Sequence, residues 1–334
     1  MAEKPVVSIV MPIYNSQNTI DKMVNSIVRQ SFKDWELICV DDGSTDNSRN
    51  ILLSWQEKDF RIKYFYQDNE GVSAARNHGF SLTTGQYVLF IDSDDECDIN
   101  LLSAVVERFR NMDSDIVVFG YKSLIGHQIS KETVPSRCND ILPDVSVLNL
   151  LKSDLVSVVY NKIYKRNLLK NVKFEDTNLG EDFIFNLNVL QRKPTIATIS
   201  QALYNYQLDS ENSLYKKYSA DRTTILQVEY KMIQKLDEVY SWPKSSFDAV
   251  LQYFRLHNMS GVVMNLYRDD APETYRQKKA ILSREFVFYH ISLKTITSNN
   301  LLKKSETVKL VLAKLGFVKL LKMLYIVKRR KVRV

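Results

Sequence analysis

The 334-residue chain is poor in several residue types, and each shortage excludes something. With only 9 glycines and 7 prolines, low-complexity linkers are not expected, and no internal repeat is found. No glycine precedes Gly43, and the first apolar run is followed by Pro12-Ile13-Tyr14-Asn15. A G-x-G-x-x-G dinucleotide turn and a phosphate-cradling P-loop are therefore absent, as is the glycine-rich basic loop of a nucleotidyltransferase. The 3 cysteines (Cys39, Cys97, Cys138) are scattered and odd in number, so they make neither a disulfide framework nor a zinc pattern. The 4 histidines lack metal-ligand spacing, and no G-x-S-x-G supports serine hydrolysis. No signal-peptide pattern precedes the first strand, which points to the cytoplasm.

What the chain does have is carboxylate at the ends of apolar runs. Tyr87–Ile91 is uninterruptedly apolar or aromatic, as in a strand buried on both faces, and it delivers Asp92, Ser93, Asp94 and Asp95. If extended geometry continues, Asp92 and Asp94 project to the same side. Two hard oxygen ligands there suit Mg²⁺ or Mn²⁺; the plainer reading is a solvated acidic turn before the next helix. Trp35–Val40 likewise runs into Asp41, Asp42, Gly43 and Ser44. Two such ends on parallel strands share the carboxyl edge where open α/β sheets bind ligands.

Strand and helix alternate through the first 120 residues. Strands are expected at Val6–Met11, Trp35–Val40, Ile62–Tyr66, Tyr87–Ile91 and Asp115–Phe119. Helices are expected at Thr19–Arg29, capped by Thr19, then from about Ser48, around Val72–Leu82, and at Ile99–Arg110. Repeats of this kind mean an α/β fold, a mainly parallel sheet with helices on both faces. Gly120–Asp144 reads as polar and irregular, and from about Ala220 the chain is mainly helical, at Lys231–Tyr240, Phe247–Tyr267 and Tyr275–Ile291. A domain boundary is expected near Tyr218, dividing residues 1–218 from a helical region 219–334; within the first, 1–120 is the nucleotide-binding half and 121–218 the acceptor-side half. In the helix after Gly71, Arg76 can reach a phosphate, pair with Asp92, or make an ordinary surface salt bridge.

VSIVMPIYN, QSFKDWELICVDDGSTDNS, NEGVSAARNHG, GQYVLFIDSDD and LGEDFIFN, in that order, resemble the motifs of bacterial family 2 glycosyltransferases of the GT-A fold, over roughly residues 5–215. The resemblance implies an inverting, metal-dependent transfer of sugar from a nucleotide donor, here a UDP-sugar, with Mn²⁺ or Mg²⁺ as cofactor. It implies that Pro12 and Tyr14 line the base and ribose, with Asn15 beside them. Asp42 accepts the uracil imide, and Asn69 and Arg76 border the nucleotide. Asp92, Ser93 and Asp94 form the D-x-D segment, with Asp94 the more direct metal ligand and Asp92 the second. Asp182 of the Glu181-Asp182 pair is the general base; read without the resemblance, both acids simply favour a helix N-terminus. Lys162-Ile163-Tyr164 resembles an N-K-L-Y segment of structural or acceptor-side role. Tyr204-Asn205-Tyr206-Gln207 resembles a Y-Y-R segment with Gln207 in place of the arginine.

The expected activity is extension of a bacterial surface glycan, with a glycan or lipid-linked oligosaccharide acceptor. A nucleotide-sugar-binding scaffold without turnover and a nucleotide-sugar hydrolase are the alternatives. The net charge of +7 belongs to the C-terminus: residues 301–334 hold eleven Lys/Arg against one Glu, leaving the other 300 residues at −3. No run there reaches the roughly 18 apolar residues of a spanning helix, and on one helical wheel the lysines do not gather on a face. The expectation is peripheral attachment to the anionic inner leaflet, with room for a core helix or a homo-oligomer contact instead. Nucleic acid finds no reading surface.

Overall fold

The structure is a computed structural model that describes residues 4–136, 141–177, 179–208 and 217–330, with side chains to 324. Cys138, Lys331, Val332 and Arg333 lie outside the described residues. The chain divides into two compact units, residues 1–213 with 239–241 and residues 214–238 with 242–334.

The first unit is built on β1 (Val7–Ile13), β2 (Trp35–Asp42), β3 (Ile62–Gln67) and β4 (Tyr87–Phe90). These four are parallel in the order β3-β2-β1-β4. Every residue of β1, β2 and β4 is buried, which is why they read as mainly apolar runs, broken by Ser8, Glu36 and the terminal Asp41 and Asp42, instead of alternating ones. Helices α1 (Ile20–Val28), α2 (Ser48–Lys58) and α3 (Val72–Leu82) make the crossovers. Helix α1 buries Ile20, Met23, Val24 and Ile27, the expected face. Thr19 sits at its N-cap position, but its hydroxyl donates to the Ser16 carbonyl and caps nothing.

β1 runs two residues further than expected, through Pro12. Tyr87 and Ile91 donate to the carbonyls of Val6 and Val10, so even-numbered backbone groups of β1 face β4. Pro12 falls on that side just past the last paired residue, where no ladder donor is required.

The sheet continues with β5 (Glu96–Cys97), β6 (Ile116–Ile125), β7 (Gln128–Thr133), β8 (Lys162–Lys165) and β9 (Ile196–Gln207). Antiparallel β8 lies between β4 and β6; β6 and β9 are parallel, and β5 closes the order against β9. Helices α4 (Leu101–Asn111), α5 (Asp144–Lys152) and α6 (Glu181–Leu190) complete the unit. The stretch expected to be irregular instead extends β6 to Ile125 and returns as β7. Gly120 permits this, since a Cβ there would stand 2.4 Å from Val134 Cγ1 and 2.6 Å from the Thr133 carbonyl. β7 is almost wholly exposed, so it carries no apolar alternation to betray it.

The second unit holds α7 (Arg222–Tyr240, to residue 238), α8 (Lys244–Leu266), α9 (Tyr275–Phe288), α10 (Leu293–Thr297), α11 (Lys304–Lys314) and α12 (Val318–Arg330). A capping box between Thr274 and Gln277 starts α9, and the fully buried Glu285 accepts from Gln227 and Arg284. The basic tail breaks at Gly316, whose φ is +76°, into two helices. A single wheel through the tail therefore mixes two registers: α11 buries Leu310 and Ala313, and α12 buries Val318 and Leu321. Among the described residues, no helix is long and apolar enough to cross a membrane.

Candidate active site

The carboxyl ends of β1, β2 and β4 carry the expected acidic and polar residues, and hydrogen bonds tie those ends together. Asn15 adopts a left-handed conformation with φ +49°. Its amide N–H donates to Ser44 Oγ at 3.0 Å, and its side-chain oxygen accepts from Thr45 N at 2.8 Å. Ser93 is buried, with its hydroxyl 2.7 Å from that of Ser16. Asn15 and Ser93 thus join loops to one another. Pro12 is buried, whereas Tyr14 and Asn69 are exposed.

The two aspartates after β2 are occupied internally. Asp41 accepts from Ser44 N at 2.9 Å and from Tyr64 Oη at 2.7 Å. Asp42 accepts from Gln67 Nε2 at 2.8 Å, Glu70 N at 2.9 Å and Gly71 N at 2.8 Å. A carboxylate offers about four acceptor sites, so Asp42 keeps one for a ligand. Gly43, at φ +75°, lets this turn lie against Asn69, whose backbone N would be 2.9 Å from a Cβ.

After β4 the chain turns at Ser93-Asp94 instead of staying extended, yet Asp92 and Asp94 are both partly exposed while Ser93 and Asp95 are buried. The Asp92 amide donates to Tyr204 Oη at 3.1 Å. Arg76, about a turn into α3 with its side chain 4% exposed, runs beneath these carboxylates. Its Nη2 donates to Asp92 Oδ1 at 2.8 Å, and its Nη1 to Asp182 Oδ1 at 2.7 Å and Glu181 Oε1 at 3.3 Å. Of the options left by the sequence, Arg76 takes the pairing with Asp92, and adds two partners from α6. It is enclosed among carboxylates, with the Phe174 ring 5.3 Å from its guanidinium carbon.

Gly180, in the left-handed region at φ +78°, turns the chain into α6 and sets Glu181 and Asp182 in its first turn. Asp182 Oδ2 also accepts from Val159 N at 3.2 Å. Burial pushes the Asp182 carboxyl up to about 7; Arg76 opposes the shift, while Glu181 and Asp92 add to it. A carboxyl that exchanges its proton near neutrality is suited to acid–base work.

The turn presenting Val159 is held by residues whose role the sequence left open. Lys162, buried in β8, donates to the carbonyls of Leu155 and Val158 and to Asn161 Oδ1 at 2.6 Å. Burial lowers its pKa to about 7. Asn186 donates to Val156 O and Val158 O at 2.7 and 2.9 Å and accepts from Tyr164 Oη at 2.7 Å. The N-K-I-Y segment is thus the support of this turn. A lysine at the head of Lys162-Ile163-Tyr164 was the available signal; Asn186 gave none.

Asp95 is the other residue the sequence under-read. Its Oδ1 accepts from Gln207 N at 2.8 Å, whereas Oδ2 is buried without a hydrogen-bond partner. Burial, then Asp94 and Asp92, drive its pKa well up. Gln207 serves the sheet here, its side chain donating to Gly126 O at 3.1 Å. The push of Asp94 and Asp92 on Asp95 reports carboxylates crowded at this turn, a charge that a divalent cation fits. Among the described residues, no three His, Cys, Asp or Glu converge as a metal cage. Two carboxylates, with water and substrate phosphate as the remaining ligands, is the Mg²⁺ or Mn²⁺ pattern.

A family model described as glycosyl transferase family 2 matches residues 8–176, half of the chain, and spans both acidic strand ends. The chain belongs to this family. It is a glycosyltransferase, similar to curated members over much of its length. It is 30% identical over 211 residues to glycosyltransferase GlyA of Streptococcus pneumoniae, covering 60% of this chain but only 30% of GlyA. With the uncharacterized glycosyltransferase EpsJ of Bacillus subtilis it shares 27% identity over 293 residues, 85% of each chain. The fold matches that of S. aureus TarS 1-349, solved with UDP-GlcNAc. There the TM-score is 0.71 at 20% identity, over 98% of this chain and 92% of that one. The fold is therefore GT-A: a mixed, mainly parallel sheet with helices, followed by C-terminal helices.

Proposed function

We propose that this glycosyltransferase moves a sugar from a UDP-sugar to a hydroxyl of a bacterial surface glycan, with inversion at the anomeric carbon and Asp182 as general base. The observation that carries the reading is Arg76, which ties Asp92 on the donor side to Asp182 through one buried guanidinium. The acceptor hydroxyl attacks the anomeric carbon and its proton passes to Asp182. The new glycosidic bond forms as the bond to the diphosphate breaks, and the electron pair leaves with UDP. Asp94, with Asp92, would hold Mn²⁺ or Mg²⁺, which when bound offsets the charge of the departing diphosphate. A UDP donor is supported by the UDP-GlcNAc complex of the fold neighbour. Asp42, with its one remaining acceptor site, takes the uracil imide, and Tyr14 and Asn69 border the nucleotide.

The acceptor in this reading is lipid-linked, and the protein works at the inner face of the membrane, held there by the charge of its basic tail. A screen of UDP release against lipid-linked and free acceptors, with and without Mn²⁺, tests the whole reading. Release that needs no acceptor would make the protein a hydrolase. Binding of donor without release would make it a scaffold.

Two variants separate the roles within the donor site. Asp94→Ala abolishes Mn²⁺-stimulated turnover with the circular dichroism spectrum unchanged; full wild-type activity in EDTA refutes the metal assignment. Asp42→Ala raises the donor KM at least several-fold before kcat falls. It also lowers stability by about 1–3 kcal/mol, because the Glu70 and Gly71 amides lose their acceptor. An unchanged donor KM removes Asp42 from uracil recognition.

A further inference from the structure

In the second unit, α12 presents three different sides. Val318 and Leu321 are buried, and the Lys322 ammonium lies 5.8 Å over the Tyr275 ring of α9. Phe317, Leu320, Met323 and Leu324 are left in water, at 53%, 46%, 63% and 38% exposure. Helical spacing places Leu320, Met323 and Leu324 together along one side, since residues three and four apart share a face, and Phe317 directly precedes the helix. Lys319 and Lys322, also exposed, fall on a different side of the same turns. Leu315, half-exposed, closes α11 just before the Gly316 break.

A ridge of four large apolar side chains that no described residue covers asks for a partner. Charge chooses between the two obvious ones. A second copy docking ridge to ridge would bring two segments of net charge +10 together. An anionic lipid surface attracts the same charge. The helix is too short and too basic to span a bilayer, and a helix with one apolar side among lysines lies in the plane of the interface, its apolar side among the acyl chains.

We infer that α12 is an interfacial membrane helix, with Phe317, Leu320, Met323 and Leu324 inserted below the headgroups of an anionic bilayer and Lys319 at their level. This rests on the peripheral attachment proposed above and makes it more than electrostatic. Charge attraction alone is screened by salt; an inserted ridge keeps binding when salt is high.

The experiment is co-sedimentation of the full chain with phosphatidylglycerol-containing and pure phosphatidylcholine vesicles, at low salt and at about 1 M NaCl, where the Debye length is ~3 Å. Wild type is compared with a variant carrying Phe317→Ser, Leu320→Ser, Met323→Ser and Leu324→Ser, and light scattering gives the oligomeric state of both. The expected result is that wild type stays on anionic vesicles at high salt, while the variant binds them at low salt and is released at high salt. Equal release of both proteins by salt overturns insertion and leaves the charge-based attachment standing. Failure of wild type to bind anionic vesicles at any salt overturns both. A wild-type dimer that the variant dissolves, with lipid binding equal in the two, assigns the ridge to a second copy and also overturns insertion. Unchanged donor turnover and circular dichroism in the variant confirm that it is folded.

Discussion

Asp182→Asn loses roughly 10²–10⁴-fold in kcat, the contribution of a general base, while affinity for the UDP-sugar stays within a few-fold. The amide keeps the shape of the side chain and cannot take the acceptor's proton. Steady-state kinetics with varied donor checks the split, and a variant with near-normal turnover rejects the assignment. The same residue sets a pH dependence. Its pKa in the folded chain is about 7, raised by burial. As the base works deprotonated, kcat climbs with pH through that value and levels off above it. Stability moves the other way. A carboxyl whose folded pKa lies above its unfolded one favours the folded state most below the ordinary carboxylate range, and that contribution is lost as pH rises through about 7. Urea titrations either side of neutrality, on wild type and Asp182→Asn, read this term directly. A kcat profile flat from pH 5 to pH 9 would contradict it.

Arg76→Met destabilises the fold by about 3 kcal/mol, the lower end of what is lost when one partner of a buried ion pair is removed. Three carboxylates, Asp92, Glu181 and Asp182, are left facing each other without their cation. The lower end applies because those carboxylates keep 15–26% of their side-chain surface in water. Arg76→Lys does not restore the arrangement. One ammonium cannot reproduce a planar fork whose two terminal nitrogens reach Asp92 and Asp182 separately. Chemical denaturation measures the loss, and turnover falls with it because both ends of the site lose their alignment. A change smaller than about 0.5 kcal/mol in Arg76→Met would mean that the carboxylates find other partners.

Among the parallel strands β4 was the most legible, because burial on both faces writes itself as an unbroken apolar run, Tyr87–Phe90 with Ile91 before Asp92. Antiparallel β8 was not legible. It has four residues with lysine at both ends, and only its position between β4 and β6 explains why Lys162 can be buried there. The β6–β7 hairpin was hidden by Gly120, which looks like a breaker in sequence and in space is the gap that admits Val134. In the candidate site, the aspartates were visible as residues while their occupancy was not. Asp42 spends three acceptor sites on groups 25–29 residues away, and no local pattern encodes such bonds. For Arg76 the pairing with Asp92 was among the options open in the sequence, whereas its other two partners lie 105 and 106 residues on and had no local signal.

Those separations have a bearing on synthesis. Arg76 meets Asp92 across 16 residues, but meets Asp182 across 106, and Asp95 meets Gln207 across 112. A nascent chain that has emerged only to residue 120 therefore holds Arg76 and Asp92 but lacks Glu181 and Asp182, the other two partners of that guanidinium. It also shows the growing cell an open β4 edge, the strand that β8 will later cover. Unpaired edges of buried, apolar strands recruit other chains. Until residues 162–165 have emerged, that edge has no partner strand from its own chain.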